Sequence, residues 1–202
     1  MISESFLRQC LTKIIIHVRV VICQDRLRTN TRKTRPKTVV HPDGGLCPED
    51  TLALAFSTDG GASFTPWQCK PALVNTNSQA SVLVTNVSNR ETILVSNPGL
   101  NPTHCPPCSL NMRVHASHDG GVSFERALEF EVPGARVWNG THNNGTAGGY
   151  SSLVELDQAT HPGMVGLAWE TGGPGGSCIG SRCRVVFSRF NVSAALLLPA
   201  TA

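Results

Sequence analysis

The sequence predicts an all-β fold built from repeated units. Residues 117–124 (Ser-His-Asp-Gly-Gly-Val-Ser-Phe) repeat residues 57–64 (Ser-Thr-Asp-Gly-Gly-Ala-Ser-Phe) sixty positions further along, with six of the eight residues identical. The 19 glycines and 13 prolines of this 202-residue chain favour frequent turns, and no stretch has the length and period of a confident helix. Repetition at such an interval is typical of stacked or radial β units, propeller blades among them.

Each copy of the repeat is predicted to be a hairpin turn that follows an apolar strand. We expect the carboxylates of Asp59 and Asp119 to accept hydrogen bonds from backbone amides two residues further on. The glycines tolerate the positive φ that such turns need. Phe64 and Phe124 are expected to begin the return strands and to bury their rings.

The remaining elements are predicted from apolar runs bounded by turn residues. A short helical or irregular lead is expected before the first strand, and residues 25–50 form a polar, basic connector that we interpret as a solvated loop. The Cys-Pro-Pro-Cys stretch in 100–108 and the glycine-rich stretch 172–182 are expected to be disulfide-tied loops rather than redox or zinc sites. The predicted strands are 14–23, 51–56, 80–85, 91–96, 112–116, 152–156, 164–169 and 184–190.

Cysteine content and glycosylation signals indicate an oxidising compartment. The chain has eight cysteines and four Asn-x-Ser/Thr sequons, at Asn86, Asn139, Asn144 and Asn191. We therefore expect a location in the secretory pathway, lysosomal or extracellular, although the cysteine pairing cannot be deduced. No clean signal peptide opens the chain, which suggests that the true start lies upstream of Met1. The net charge of +3 is small and gives no reason to expect a nucleic-acid partner.

The repeated octapeptide resembles the Asp box of the sialidase (neuraminidase) family. Residues 149–154 (Gly-Tyr-Ser-Ser-Leu-Val), 166–172 (Gly-Leu-Ala-Trp-Glu-Thr-Gly) and 185–190 are similar in order and spacing to the C-terminal part of these enzymes. The resemblance covers roughly residues 51–192. It implies about three blades of a six-bladed β-propeller, preceded by a poorly matched segment 1–50 and followed by a tail, 193–202.

The resemblance also implies roles for particular residues. Tyr150 would be the catalytic nucleophile, because a neutral phenol avoids the repulsion that a carboxylate meets at the acidic anomeric centre of sialic acid. Glu170 would brace the first of three arginines that clamp the substrate carboxylate. The Asp boxes would be structural turns remote from the active site.

The arginines depart from the family pattern. Ser109 occupies the place of the third arginine, and Arg113, four residues further on, could replace it only if the strand is shifted. Arg28 is the nearest fit to the second arginine. The first arginine, the glutamate base and the aspartate acid/base have no assignable counterpart.

The resemblance implies an exo-α-sialidase that removes terminal sialic acid from glycoconjugates, with a sialylated glycan as partner and no metal or other cofactor. Since the site is incomplete, we expect no measurable turnover by this chain alone. One alternative is a non-catalytic carbohydrate-binding or interaction module made of Asp-box blades. A sorting-receptor propeller is another, against which the segment from Tyr150 to Glu170 argues.

Overall fold

The computed structural model describes residues 10–13, 19–23, 39–40, 46–47, 51–74, 79–87, 89–100, 109–130, 148–172 and 183–197. These residues form strands and turns apart from one short helix, so the predicted all-β class is confirmed. The elements are β1 (Cys10–Lys13), β2 (Arg19–Cys23), β3 (Val39–Val40), β4 (Leu46–Cys47), β5 (Thr51–Ser57), β6 (Gln68–Val74), β7 (Ser81–Val87), β8 (Arg90–Leu100), β9 (Ser109–Ser117), β10 (Glu125–Phe130), β11 (Gly148–Glu155), β12 (Met164–Gly172), β13 (Cys183–Asn191) and the helix α1 (Val192–Leu197).

The strands pair into three antiparallel sheets and one two-stranded ladder. The first sheet has the strand order β1-β2-β5-β6, the second β7-β8-β9-β10 and the third β11-β12-β13, while β3 pairs with β4. The first strand of each sheet contacts its counterpart in the next, since β1 contacts β7 and β7 contacts β11. The three sheets therefore follow one another in chain order, with the second in the middle.

Both faces of the second sheet are buried because its strands alternate apolar side chains in two directions. Ile93 and Val95 face the first sheet, and Leu94 faces the third. The core between the first and second sheets includes Leu52, Leu54, Leu73, Val82, Val84 and Phe124. The core between the second and third includes Met112, Val114, Leu153, Leu167 and Trp169.

The N-terminal segment is more regular than the sequence predicted. Cys10–Lys13 is a strand where a helical or irregular lead was expected, because it finds a pairing partner in Arg19–Cys23. Within the stretch expected to be an irregular connector, Val39–Val40 pairs with Leu46–Cys47. A disulfide joins Cys47 to Cys69 and so ties this ladder to β6. Helix α1 occupies the start of the predicted tail.

Candidate functional site

The two octapeptide turns, 57–64 and 117–124, have the same hydrogen-bond pattern, and we call them the first and second repeat turns. In the second, Ser117 Oγ donates to Asp119 Oδ1 at 2.7 Å, and Gly121 N donates to Ser117 Oγ at 2.8 Å. Ser123 donates through N and Oγ to Asp119 at 3.0 and 2.5 Å. The amide therefore belongs to the fourth residue after the aspartate, which corrects the expectation of two.

Fixed hydrogen bonds keep both turn carboxylates ionised. The hydroxyl and amide of Ser63, followed by the hydroxyl of Ser57, hold the pKa of Asp59 well below its ordinary value. The equivalent groups of the second repeat turn lower the pKa of Asp119 in the same way. Since these bonds occupy each carboxylate within its own turn, the aspartates act as turn-forming residues.

The second repeat turn is held against the first sheet. Gly121 has a φ of +86°, and a Cβ there would stand 2.4 Å from the Phe56 ring. The amine of Lys70, on β6, donates to the carbonyl oxygen of Val122 at 3.4 Å. Burial lowers the pKa of Lys70, an effect that the nearby carboxylate of Asp119 partly opposes. The turn thus connects neighbouring sheets.

The phenylalanines of the two turns differ in burial. Phe124 is 8% exposed and lies in the core between the first and second sheets, as the sequence predicted. Phe64, which was also expected to be buried, is 39% exposed. Phe64 follows β5 and Phe124 follows β9, the third strands of the first and second sheets. Phe124 can therefore pack against the first sheet. In the described part of the chain no sheet precedes the first one, so Phe64 has no equivalent surface to pack against.

The repeat turns and the predicted tyrosine lie at opposite ends of the sheets. In the second sheet, Ile93 pairs with Ser117 at the end that carries the second repeat turn. The hydroxyls of Ser96 and Ser151 lie 2.9 Å apart towards the other end, and Tyr150 precedes Ser151. We call this second end the tyrosine end. Its separation from the repeat turns agrees with a purely structural role for the turns.

Tyr150 and Glu170 meet at an irregularity in the third sheet. Gly148 pairs with Thr171 and Ser151 with Trp169, so Gly149 and Tyr150 together oppose the single residue Glu170. The backbone amide of Tyr150 donates to Glu170 Oε2 at 3.3 Å. Such a bulge re-aims the side chains that it carries. The phenol is 40% exposed, and the structure therefore brings the two predicted site residues together on adjacent strands.

Gly149 makes the approach of Glu170 possible. A Cβ at position 149 would stand 2.8 Å from the Cβ of Glu170 and 3.0 Å from its Oε2. Any larger residue would have to displace the glutamate from its place beside Tyr150. This glycine is a site residue that sequence reasoning missed, although its position directly before the only tyrosine was a usable signal.

Hydrogen bonds fasten the start of β11 to the second sheet. Ser151 N donates to the carbonyl oxygen of Gln79 at 3.2 Å, and Ser151 Oγ lies 3.2 Å from the carbonyl oxygen of Ser96. Two residues along, Leu153 N donates to Ser81 Oγ at 3.0 Å. Ser151 and Ser96 are both buried, so the hydrogen bond between them is shielded from water. Together, these hydrogen bonds hold the backbone next to Tyr150 in place.

Arg113 lies towards the tyrosine end of the second sheet but on the face directed at the first sheet, where it pairs with Asn97 across the strands. Its guanidinium lies over Gly99, where a Cβ would stand 2.5 Å from Arg113 Cζ. Arg113 Nε is 3.6 Å from Glu129 Oε2 on β10. These contacts explain the position of the arginine without a substrate, and Glu129 is a partner that the sequence analysis missed.

Several sequence-level predictions lie outside the described residues. Arg28 is among them, as are the cysteines of the Cys-Pro-Pro-Cys stretch and most of the glycine-rich stretch. Ser109 forms the first residue of β9 and pairs with Leu100. Within the described ranges no group of three or more His, Cys, Asp or Glu side chains could hold a metal ion. The one described helix is far too short to cross a membrane.

Comparison with known proteins supports the fold. No protein-family model and no curated protein sequence matches the chain. Among solved structures, Trypanosoma rangeli sialidase in complex with 2,3-difluorosialic acid (a covalent intermediate) matches 93% of the chain with a TM-score of 0.51 and 10% identity. The intramolecular trans-sialidase from Ruminococcus gnavus, in complex with oseltamivir carboxylate, matches 90% of the chain at 19% identity, with a TM-score of 0.49. The chain covers 24% of the first enzyme and 39% of the second. The described sheets therefore have a sialidase-like fold that spans about a quarter of the T. rangeli enzyme's length.

Proposed function

We propose that this chain is part of an exo-α-sialidase, which hydrolyses terminal sialic acid from glycoconjugates. The observation that carries the proposal is the bulge at Gly149 and Tyr150, which sets the backbone amide of Tyr150 against the carboxylate of Glu170 and leaves Tyr150 40% exposed. Both groups lie at the tyrosine end, away from the repeat turns. On this proposal the repeat turns are Asp boxes and the three sheets are blades of a six-bladed propeller.

Tyr150 is the proposed nucleophile. Its phenolic oxygen attacks the anomeric carbon while a base removes the phenol proton, and the glycosidic carbon–oxygen bond breaks with its electron pair on the leaving oxygen. An acid protonates that oxygen, and water then releases the sialic acid from the tyrosyl intermediate with net retention. The base and the acid are not assigned to residues of this chain.

Glu170 is proposed to orient other groups. One carboxylate oxygen accepts the amide hydrogen of Tyr150, which leaves the other oxygen able to accept from an arginine. A bidentate guanidinium held in this way would bind the carboxylate of sialic acid. Glu170 thereby links the backbone position of the nucleophile to the recognition of the substrate.

Arg113 and Arg28 are the proposed substrate-binding arginines within this sequence. For Arg113, binding a sialic acid carboxylate requires the guanidinium to leave Glu129, from which Nε is 3.6 Å away. At 3.6 Å the contact with Glu129 is too long for a hydrogen bond, and Arg113 Nε has no hydrogen-bond partner among the described residues, so a second carboxylate can compete for the guanidinium. The role of Arg28 is carried over from the family resemblance alone.

We also propose that the protein folds in the secretory pathway and works in a lysosomal or extracellular setting. The disulfide between Cys47 and Cys69 supports this location, because structural disulfides persist in oxidising compartments and are rare in the cytosol.

A non-catalytic carbohydrate-binding module is the second candidate function. The pairing of Arg113 with Glu129 and the serine at position 109 favour it, since neither arrangement provides a free third arginine. Such a module would bind sialosides at the tyrosine end but would not form a bond to Tyr150.

A covalent labelling experiment distinguishes the two functions. The chain is incubated with 2,3-difluorosialic acid, and its intact mass and peptide masses are measured. An adduct accumulates even when turnover is too slow to measure, so this assay suits a chain with an incomplete site. We expect an adduct on the peptide that contains Tyr150, with none in a Tyr150→Phe variant and a full yield in a Ser152→Ala control.

Other outcomes decide against the enzyme. Binding of 3′-sialyllactose without an adduct would favour the carbohydrate-binding module. An adduct on a residue other than Tyr150 would reject the proposed nucleophile. Neither an adduct nor sialoside binding would reject both functions.

A further inference from the structure

The structure distinguishes between the glycosylation sequons, two of which have their asparagine among the described residues. These are Asn86-Val87-Ser88, at the end of β7, and Asn191-Val192-Ser193, where β13 meets α1. The sequons at Asn139 and Asn144 fall outside the described residues. A folded protein can accommodate an N-linked oligosaccharide only on an asparagine whose side-chain amide faces solvent, because the sugar is bulky.

Asn86 meets this requirement. It pairs with Glu91 next to the tight connection between β7 and β8, where Val87 pairs with Arg90. Asn86, Asn89, Arg90 and Glu91 are all exposed, so the surface around the amide is open on both strands. The side chain of Val87, by contrast, is buried in the core between the second and third sheets, which fixes the backbone beneath Asn86.

Asn191 does not meet the requirement for a solvent-facing amide, because its side-chain amide makes hydrogen bonds within the fold. Oδ1 accepts the amide hydrogen of Ala194 at 3.1 Å and so caps helix α1. Nδ2, the atom that would carry the sugar, faces the carbonyl oxygen of Pro162 at 3.5 Å. Both side-chain amide atoms also lie 3.6 Å from the position that a Cβ on Gly163 would take. A sugar on Nδ2 would have to displace the turn that contains Pro162.

We propose that Asn86 carries an N-linked glycan in the folded protein and that Asn191 does not. In the transfer step, Nδ2 of Asn86 bonds to the anomeric carbon of an oligosaccharide held on a lipid pyrophosphate. The bond from that carbon to the pyrophosphate oxygen breaks, the lipid pyrophosphate leaves with the electron pair, and Nδ2 loses one proton. The disulfide between Cys47 and Cys69 independently indicates the compartment in which this transfer occurs.

The position of Asn86 leaves the candidate site open. Ser81 pairs with Ser96 near the tyrosine end, whereas Asn86 lies at the other end of β7, close to its connection with β8. A glycan there extends from the same end as the repeat turns. It therefore shields the turn end of the second sheet and does not cover Tyr150.

The test uses the full chain, directed into the secretory pathway of cultured mammalian cells by a cleavable leader. Glycans are removed enzymatically in heavy-oxygen water, which tags each formerly glycosylated asparagine, and peptides are analysed from cell lysate and medium. Ser88→Ala is the matched control, because it removes the sequon and keeps Asn86. Lysate is included because transfer to the nascent chain does not depend on later folding or release.

We expect the Asn86 peptide to be mostly tagged, the Asn191 peptide of the secreted protein to be untagged, and Ser88→Ala to migrate one glycan smaller. An untagged Asn86 peptide in both lysate and medium would overturn the proposal. A secreted protein with a tagged Asn191 peptide would overturn its second half. Both results are independent of whether the protein binds or cleaves sialosides.

Discussion

The two equivalent phenylalanines of the repeat turns are expected to differ in their contribution to stability. Phe124 is 8% exposed inside the core between the first and second sheets, and Phe64 is 39% exposed. Replacing a buried Phe by Ala typically costs about 3–5 kcal/mol, because the transfer free energy is lost and a cavity remains. For Phe64 we expect about 1–2 kcal/mol, since part of the ring already contacts water and less cavity forms.

The comparison requires only equilibrium unfolding of Phe124→Ala and Phe64→Ala. At about 2–4 °C per kcal/mol for a chain of this size, the expected difference of about 2 kcal/mol separates the melting temperatures by about 4–8 °C. Urea unfolding followed by far-ultraviolet circular dichroism gives the free energies directly. The octapeptides are otherwise nearly identical, so each variant serves as the control for the other. Equal losses, or a larger loss for Phe64→Ala, would refute the arrangement in which only the second turn fills a core between sheets.

Four further variants test the packing of the sheets, the repeat turn and the disulfide. Ser151→Ala removes the buried hydroxyl bond between β11 and the second sheet and should cost about 1–3 kcal/mol in urea unfolding. Ser152→Ala, on the exposed face of the same strand, should change stability by less than about 0.5 kcal/mol. The pKa of Asp119 is lower in the folded than in the unfolded chain, so its contribution is complete above the ordinary carboxyl pKa and falls as the pH drops towards the folded value. Asp119→Asn should therefore flatten the loss of melting temperature below about pH 4, and an unchanged slope would contradict the turn geometry. Opening the Cys47–Cys69 disulfide by a double serine substitution should cost about 3 kcal/mol, as loop closure predicts for a separation of 22 residues.

Local sequence signals predicted most of the strands. The run that precedes each repeat turn is apolar enough that β5 and β9 contain the predicted 51–56 and 112–116. Their real limits are longer because pairing with neighbours extends a strand beyond its apolar centre. The strand at Cys10–Lys13 has no comparable apolar pattern of its own, and its partner β2 specifies it.

The burial of the repeat-turn phenylalanines and the pairing of the cysteines depend on long-range contacts that local sequence does not specify. The burial of Phe124 and the exposure of Phe64 follow from which sheet stands beside each turn, although both octapeptides are nearly the same. Likewise, Cys47 and Cys69 form a disulfide because the fold brings together two residues that are 22 positions apart, a pairing that their spacing alone does not predict.

The candidate site was predicted in part. The order of motifs pointed to Tyr150 and Glu170 as candidates. In the structure they lie on paired strands, at a bulge that a period-two pattern of side chains does not predict. The pairing of Arg113 with Glu129 joins two strands through side chains and has no signature in either strand alone. Gly149 is required by the nearby glutamate rather than by its own backbone, so its place before Tyr150 marks the position in the sequence but does not explain it.

The most direct test of the proposed site is a chemical-shift titration of nitrogen-15-labelled protein with 3′-sialyllactose, using lactose as the control. The amide of Tyr150, which donates to Glu170, and that of Ser151 are predicted to shift with sialyllactose only. The amide of Gly121, in the second repeat turn at the opposite end, should stay unchanged. Shifts confined to the repeat turns, or none at Tyr150 at saturating sialyllactose, would contradict a sialic acid site at the tyrosine end.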